Sequence, residues 1–597
     1  MAEPLVPARL GFQEGTPCSE AFGDVYHSAG GGPAQARHVF LGGNDLPARW
    51  RGRSRFVVLE TGFGLGLNFL VTWQAWREDA ARCAKLHFVS VEKHPLTLSD
   101  LREIHSHYPG LAKEAALLHA RWPVLVPGAQ RLEFDGGKVV LTLFFADIKA
   151  LRDLRLAADA IYLDGFSPAK NPDMWSHALM RAISRVAAPA ATAATWSVAA
   201  PVRAALESAG FEVEKTTGFG SKREMLRARL VRPGVEFPSV KEKKAAVIGA
   251  GLAGAAVCER LCARGWEVTL YERHGAPAQE ASGNHAGTFH PIVTPDDSVF
   301  ARLTRAAFLF ALKYFENFEE IHWDRSGVLQ LSRDAKEEAS QQASIAALAL
   351  PPEYAQWASR EEASAHAGVP LAAGGLWFPE AGWVRPRSLV EALLEACGPR
   401  LSRIFSHHVH DLPRETIVVL ATANDALHRV PDSRLRRVRG QVTHIPAESI
   451  DAPRVVVLRG GFALPPVEGL CVVGASYDID DEDPAPRASS HEGNMERLGK
   501  ILPGCNFRAK NLEGRVGFRS VAPDRLPIAG KLGANLYGLL ALGSRGLIWA
   551  GLAAELLASE LEGEPCPIEG ALAKALDPGR FARRAAARRA GARAARP

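Results

Sequence analysis

Apolar and polar positions divide the chain into two stretches that repeat one theme: a short apolar run, a glycine-rich turn, then apolar residues at helical spacing. In the first, Phe56-Val-Val-Leu-Glu60 runs into Thr61-Gly62-Phe63-Gly64-Leu65-Gly66 and Leu67-Asn-Phe-Leu70, which predicts strand, turn and helix. Three further apolar runs end in acids: Leu86 to Glu92, Leu141 to Asp147 and Ala160 to Asp164. Runs of this kind read as strands of a parallel sheet buried on both faces, with Glu60, Glu92, Asp147 and Asp164 along its carboxyl edge. Helix capping explains any one of these acids well and all four together poorly. Ahead of them, Asp24-Val-Tyr26 and His38-Val-Phe-Leu41 predict a small hairpin; Gly210-Phe-Glu-Val and Leu226 to Val231 predict closing strands. In the second stretch, Ala245-Ala-Val-Ile248 meets Gly249-Ala-Gly251-Leu-Ala-Gly254. A helix with Cys258, Leu261 and Cys262 on one face leads from there to Val268-Thr-Leu-Tyr271 and Glu272.

The chain has 597 residues, more than one hydrophobic core usually supports. Pro233, Gly234, Pro238 and the charged Lys241-Glu-Lys-Lys244 mark a boundary of low hydrophobicity. The expected division is a first α/β domain at 1–232, a linker at 233–243, a second domain at 244–579 and an arginine- and alanine-rich tail at 580–597. With 47% hydrophobic and 23% charged residues the composition is that of ordinary globular protein. The start, MAEPLVPARLGFQEG, lacks a basic segment followed by an apolar core. No apolar run reaches the roughly 18 residues a membrane helix needs, so a cytoplasmic protein without a membrane partner is expected. The 8 cysteines contain no CxxC pair and read as reduced, buried thiols. Net charge is only +5, which permits an anionic macromolecular partner without demanding one. For Arg434, Arg436, Arg437 and Arg439, and for the tail, a solvated charged surface and nucleic-acid contact both stay open.

The glycines of the second stretch have separate jobs: a tight turn, approach of bare backbone to a pyrophosphate at the positive helix end, and close helix-on-strand packing. Gly249, Gly251, Gly254 and Glu272, the last taking ribose hydroxyls, therefore predict a dinucleotide site. In the first stretch an acid precedes the glycines. Glu60-Thr-Gly62-Phe-Gly64-Leu-Gly66 resembles motif I of Rossmann-like, class I methyltransferases that bind S-adenosylmethionine. That resemblance implies cofactor contacts from Gly62, Gly64 and Gly66, pairing of Glu60 with the cofactor ammonium, Glu92 on the ribose diol and Asp147 at the adenine amino group. Leu65 stands where many relatives carry a smaller or hydroxylated residue. Asp164-Gly-Phe166-Ser-Pro168 resembles the acidic loop of N-methyltransferases, which must accept hydrogen bonds from an amine. Asp164 is the candidate to orient and deprotonate it, because a primary amine is mostly protonated at neutral pH. Phe166 and Trp175 are candidates for stacking on a base and Lys222 and Arg223 for a phosphate, beside the ordinary core and surface roles of such residues.

Beyond Glu272, the polar glycine loop Glu280-Ala-Ser282-Gly-Asn284-His-Ala-Gly287 resembles the second flavin-contacting segment of the D-amino-acid-oxidase superfamily. Trp377 to Pro386 before a helix at Ser388–Glu395, and Gly517 to Gly530 before Leu542-Gly543-Ser-Arg545-Gly546, fit the same superfamily. This resemblance implies FAD, a Rossmann-type cofactor part with a mixed-sheet substrate part, and flavin contacts from Ser282, Asn284, Gly543, Arg545 and Gly546. It also implies that Arg519 holds a substrate carboxylate by its planar fork. Tyr477 is a weaker substrate-side candidate. His407, His408 and His410 invite a metal reading, but the adjacent pair alternates faces and no acid or cysteine completes a set, so no metal is expected.

Taken in order, the two halves resemble the bacterial bifunctional enzymes of tRNA wobble-uridine biosynthesis, from about Asp24 to Leu576, with Asp164-Gly-Phe-Ser-Pro-Ala-Lys-Asn-Pro-Asp-Met-Trp175 the most specific segment. The resemblance implies tRNA as partner, removal of the carboxymethyl group of a carboxymethylaminomethyl uridine by the FAD half, and methylation of the freed amine by the other half. Two other readings stay open at this level: a fused oxidase and N-methyltransferase acting on free amino acids, or one half kept as an RNA-binding module.

Overall fold

A computed structural model describes residues 4–414, 417–423, 430, 433–505, 507–508 and 512–594. The chain forms two compact units, Pro4–Ser239 with Ser559–Ala571, and Val240–Ala558 with the residues from Leu572 on.

The first unit is built on an eight-stranded sheet. Its strands are β1 (Arg55–Glu60), β2 (Lys85–Glu92), β3 (Gly128–Phe134), β4 (Val139–Phe145), β5 (Ala158–Tyr162), β6 (Ala187–Thr195), β7 (Phe211–Thr217) and β8 (Glu224–Leu230), in the order β7-β8-β6-β5-β1-β2-β4-β3. The β6-β5-β1-β2-β4 centre is parallel. Because β1 lies between β5 and β2, the strand order reverses at its carboxyl end, and that crevice is where α/β sheets bind ligands. The helix Leu67–Glu78 follows β1 and buries Leu67, Phe69, Leu70, Val71, Trp73 and Trp76. The expected hairpin is corrected. Asp24–Val25 is a strand, but it joins Thr16–Ser19 and Leu10–Gln13 in a small antiparallel sheet. His38 to Leu41 is helical instead, because Pro33 at the helix start presets the turn and Ala36, Val39 and Phe40 bury one helical face. The segment Ser559–Ala571 completes this unit, with Glu564 accepting from Lys85 Nζ at 2.8 Å.

In the second unit, β9 (Lys244–Ile248), β10 (Glu267–Tyr271), β11 (Leu401–Ile404), β12 (Ile417–Leu420), β15 (Ile528–Lys531) and β16 (Leu536–Leu540) form one sheet, ordered β11-β10-β9-β12-β16-β15 and parallel except for β15. Every residue of the helix Leu252–Cys262 that follows β9 is buried, which fits its small and apolar sequence. The other main sheet is nine-stranded and mixed. Its long strand β13 (Arg436–Pro446) pairs antiparallel with β14 (Glu513–Val521), setting Val438 opposite Arg519 and Gly440 opposite Gly517. The expected helix near Ser388 spans Pro386–Ala396. The tail forms a helix, Arg580–Ala594, whose start belongs to the packed unit: Arg580 is buried and bonds Asp524 at 2.9 and 3.1 Å, and Phe581 joins a core cluster. All 8 cysteines are free, with Cys258 and Cys262 buried. Among the described residues no helix is long and apolar enough to cross a membrane.

Two candidate active sites

At the carboxyl end of β1, β2 and β5 a cavity of about 730 Å³ is lined by Gly62, Gly64, Glu92, Asp147 and Asp164. Gly64 and Gly66 have φ of +50° and +71°, a conformation that opens the turn without the strain of a side chain. A Cβ on Gly66 would lie 2.8 Å from the Phe63 ring. Glu92 receives the N–H groups of Gly64 and His94 at 2.8 and 2.7 Å, so the strand-end acid ties the glycine turn to β2 and keeps lone pairs for a further donor. Asp147 caps the turn after β4 through the Lys149 N–H at 3.0 Å and meets Lys93 Nζ at 2.9 Å. Burial works against its charge, but these donors outweigh it and hold its pKa below the usual carboxylate range.

Asp164 stands two residues beyond β5. Its Oδ1 accepts the Gly165 N–H at 2.9 Å and its Oδ2 accepts from Asn68 Nδ2 at 2.8 Å. Burial raises its pKa to about 6 against the effect of these donors, and the Glu92 charge adds to the rise. The loop that follows is held from outside: Asp24 accepts the Ser167 N–H at 2.9 Å and pairs with Lys170 at 3.5 Å.

One expectation for this unit, at Glu60, is corrected, and the alternatives left open at Trp175 and Lys222 are narrowed. Glu60 is fully buried and does not line the cavity, so direct pairing with a cofactor ammonium is closed to it; Asn68 and Ser90 hold its two oxygens at 2.9 and 2.7 Å. Trp175 is a core residue whose indole N–H braces the Phe166 carbonyl at 2.9 Å, while Phe166 itself lines the cavity and stacks on Phe22 at 4.8 Å. Lys222 lies 3.8 Å from the Trp196 ring centre and donates to the Trp196 carbonyl, so its ammonium is already placed. Asn68, the side chain that links Glu60 to Asp164, had no signal in the sequence beyond its position one residue into a helix.

In the second unit a cavity of about 930 Å³ runs from the β9 turn to β14 and is lined by Gly249, Gly251, Glu272, Ser282, Asn284, Tyr477, Arg519, Gly543, Arg545 and Gly546. A Cβ on Gly254 would sit 1.8 Å from the Gly249 carbonyl oxygen, and one on Gly249, at φ +105°, would sit 2.6 Å from that of Ala421. Only glycines permit this packing of helix, turn and strand. Glu272 takes the N–H groups of Ala250 and His274 at 2.7 and 2.9 Å, and Ser282 Oγ takes that of Leu252 at 3.1 Å. The glycine cradle and the acid at its end suit the adenosine diphosphate part of FAD. The first cavity, with its open turn and ring of acceptors, suits S-adenosylmethionine.

Two arginines, Arg519 and Arg545, also line this cavity. Arg519 is half-buried on β14 and lies against Gly440, where a Cβ would come within 2.0 Å of its Nη1. Its guanidinium donates to the Ser476 carbonyl at 3.4 Å, and the Tyr477 ring centre lies 6.0 Å from its Cζ. Arg545 follows Gly543, at φ +59°, just before the helix Gly546–Glu562, and donates to His290 Nε2 at 3.1 Å. Burial lowers the Arg545 pKa to about 10 and holds His290 neutral, so the imidazole can accept. Among the described residues, neither arginine has a carboxylate partner. Arg439, by contrast, is sealed inside the sheet by Asp478, Gln441 and the Asp483 and Ala485 carbonyls, which removes it from any nucleic-acid surface. Arg436 pairs with Asp480 at 3.1 Å. His408 and His410 stack on one another, and no set of three metal-binding side chains occurs among the described residues.

A glycine turn and acids at the switch point of a parallel sheet, with a carboxyl beside them, define an S-adenosylmethionine-dependent methyltransferase; the second unit defines an FAD-dependent oxidoreductase. Residues 109–231 match the family described as S-adenosyl-L-methionine-dependent methyltransferase, and residues 244–560 match that described as FAD dependent oxidoreductase. The "tRNA 5-methylaminomethyl-2-thiouridine biosynthesis bifunctional protein MnmC" of Azoarcus sp. (strain BH72) is 46% identical, covering 97% of this chain and 98% of its own. The protein of the same name from Paraburkholderia xenovorans (strain LB400) is 45% identical over 98% of this chain and 99% of its own. Among solved structures, glycine oxidase from Bacillus cereus ATCC 14579 aligns with 54% of this chain and 95% of its own, at 18% identity and a TM-score of 0.46. The chain belongs to the MnmC family of bifunctional proteins.

Proposed function

We propose that this chain carries out two successive steps on the wobble uridine of tRNA, in the cytoplasm. The oxidase unit converts a carboxymethylaminomethyl group to an aminomethyl group, and the methyltransferase unit then methylates the exposed amine. The half-buried Arg519, with Asp478 near enough to act on its charge but no carboxylate in ion-pair contact among the described residues, carries this reading, because a cation held in that way is a site for a carboxylate. We assign the steps to residues 244–579 and 1–232, with 233–243 between them.

Bound FAD supplies a two-electron acceptor and bound S-adenosylmethionine an electrophilic methyl group. The chain supplies placement and proton handling. Gripping the substrate carboxylate with Arg519 fixes which carbon is presented, so the CH2 beside the carboxylate is the one oxidised; hydrolysis of the imine then releases glyoxylate. Arg545 is preset by His290, and Gly249, Gly251, Glu272, Ser282, Asn284, Gly543 and Gly546 hold the cofactor, with Gly254 packing the helix against the turn. In the other unit Asp164 accepts an N–H of the substrate amine and takes the proton that would otherwise occupy its lone pair. Gly62, Gly64, Glu92 and Asp147 hold the methyl donor, with Gly66 shaping the turn behind them.

A free amino acid would satisfy Arg519 as well as a modified uridine does; the names of the relatives favour tRNA. The test is mass analysis of wobble nucleosides after incubating undermodified tRNA with the intact protein, omitting each cofactor in turn. Without the methyl donor the aminomethyl nucleoside should accumulate, and without FAD the carboxymethylaminomethyl nucleoside should persist. Unchanged tRNA in the complete reaction, with peroxide formed from glycine or sarcosine, refutes the reading.

A further inference from the structure

Asn68 occupies the second position of the helix that follows β1, and both hydrogens of its amide are committed. One goes to Glu60 Oε1 at 2.9 Å and the other to Asp164 Oδ2 at 2.8 Å. Each carboxyl is closed on its other oxygen, Glu60 by Ser90 Oγ at 2.7 Å and Asp164 by the Gly165 N–H at 2.9 Å. The Thr61 hydroxyl holds the Asp164 carbonyl at 2.8 Å, which fixes the backbone beneath the side chain. Other groups facing the pair bring no positive charge. Glu92 repels both carboxyls, and the Tyr162 hydroxyl, bonded to Thr72 Oγ1 at 3.1 Å, lies under Glu60. Among the described residues no cation pairs with Glu60 or Asp164.

Two carboxyls bridged by one neutral amide in a site without a countercharge do not both ionise readily. They differ in environment. Glu60 is sealed and its pKa lies well above the usual range through burial and the Asp164 charge; Asp164 faces the cavity. We propose that Asn68 is a positioning residue for methyl transfer: its one amide ties the sealed Glu60 to the cavity-facing Asp164 and fixes the Asp164 lone pairs toward the cavity. The Asn68 bond to Asp164 favours the carboxylate, so it sets the pH at which Asp164 can take the proton of the substrate amine. Glu60 thus acts through Asn68 and not on the methyl donor.

This inference rests on the methyl-transfer reading for its activity arm but not for its titration arm. In the intact protein Asn68→Ala removes both bonds, and Asn68→Ser leaves a single donor should the alanine variant not fold. The acid limb of the rate profile on tRNA bearing the aminomethyl uridine should move up by about one pH unit in Asn68→Ala, so that at pH 6 to 7 the rate falls roughly tenfold and recovers at higher pH. Affinity for the methyl donor, measured by calorimetry, should change less than about threefold. Without cofactor or tRNA, the infrared carboxyl band that disappears in Asp164→Asn should titrate at higher pH by the same amount. An unmoved band and limb, or a loss of rate matched by loss of donor affinity, overturns the proposal. Wild-type protein that transfers no methyl to this tRNA refutes the substrate reading, and the infrared titration still decides the role of Asn68.

Discussion

The methyltransferase cavity is walled by Glu92, Asp147 and Asp164 with Glu60 sealed behind them, whereas Arg519 and Arg545 line the oxidase cavity. Elsewhere buried charges are paired: Arg77 with Asp135 and Glu114, Arg305 with Asp297, Arg580 with Asp524. At the two sites Asp164, Arg519 and Arg545 have no ion-pair contact among the described residues, although Asp147 meets Lys93 at 2.9 Å. Burying an unpartnered charge costs stability that only a bound ligand of opposite sign restores. In the proposed function each cavity therefore describes its ligand in reverse: acceptors and acids for a sulfonium donor and an amine, guanidinium groups for a carboxylate and an electron-rich reduced ring. In the proposed reaction sequence one nitrogen of the substrate visits both, with its carboxylate arm in the first reaction and without it in the second, which would account for the opposite charge in two units of one chain.

The largest expected effects break one side of this contrast at a time. Arg519→Ala should lower kcat/KM for oxidation by about 10² to 10⁴, the loss of two charge-assisted hydrogen bonds at roughly 1.5 to 3 kcal/mol each. Arg519→Lys should recover only part of it, since an ammonium cannot form the planar fork. Methylation of tRNA that already carries the aminomethyl group should be unaffected. Asp164→Asn should do the converse, slowing methyl transfer by about 10² to 10⁴ and leaving flavin reduction intact. Stopped-flow reduction and a methyl-transfer assay on the same two variants check both halves. A variant that damages both activities would mean the charges serve the fold and not the ligands.

How far the sequence reached differs between the sites for a physical reason. Strand ends and glycine turns leave a periodic trace, so the acids at the ends of β1 and β2 and just after β4 and β5, and the cradle at Gly249 to Gly254, were legible, whereas Arg519 and Arg545 were reached only through resemblance to the D-amino-acid-oxidase superfamily. What lies one layer behind them left none. Glu60 and Glu92 look alike as strand-end acids, yet only the second reaches the cavity, because Asn68 and Ser90 close over the first. Arg436, Arg437 and Arg439 read as one basic cluster, yet Arg439 is turned inward onto Asp478 and Gln441 while Arg436 meets Asp480 at the surface. The alanine-rich β6 carries only Thr192 and Thr195 of the β-branched residues that mark a strand and forms one because β5 and β8 flank it.

A smaller effect should follow from the clasp over the acceptor loop. Asp24 lies far from Asp164 in sequence, and it caps the Ser167 N–H and pairs with Lys170 in the same loop. Burial acts against its charge, but the Ser167 and Lys170 contacts keep it ionised at neutral pH. Asp24→Ala should slow methyl transfer about fivefold, the worth of a hydrogen bond near 1 kcal/mol, through a looser Asp164 loop and not through weaker donor binding. Faster proteolysis or hydrogen exchange confined to residues 165–175 would locate the effect, and unchanged exchange there would count against the clasp.

The smallest effect is one of stability, and its sign follows from the charge contrast. The Asp164 pKa is raised to about 6 in the folded chain from about 3.9 in an unfolded one. A carboxyl shifted upward is protonated more readily when folded, so its contribution is fully present below pH 4 and is lost as the pH rises through 6. The amide introduced by Asp164→Asn does not ionise. It meets either the Gly165 N–H or Asn68 with a mismatched group, but that penalty is independent of pH. The difference in Tm between Asp164→Asn and the parent should therefore move in favour of the variant between pH 4 and pH 7 by a few degrees, and then level off. Bound S-adenosylmethionine should shrink the change, because a sulfonium beside the carboxylate removes the cost of its charge. A difference that stays flat across this range would show that Asp164 is not held as an unpaired acid, and the contrast between the two cavities would then rest on the arginines alone.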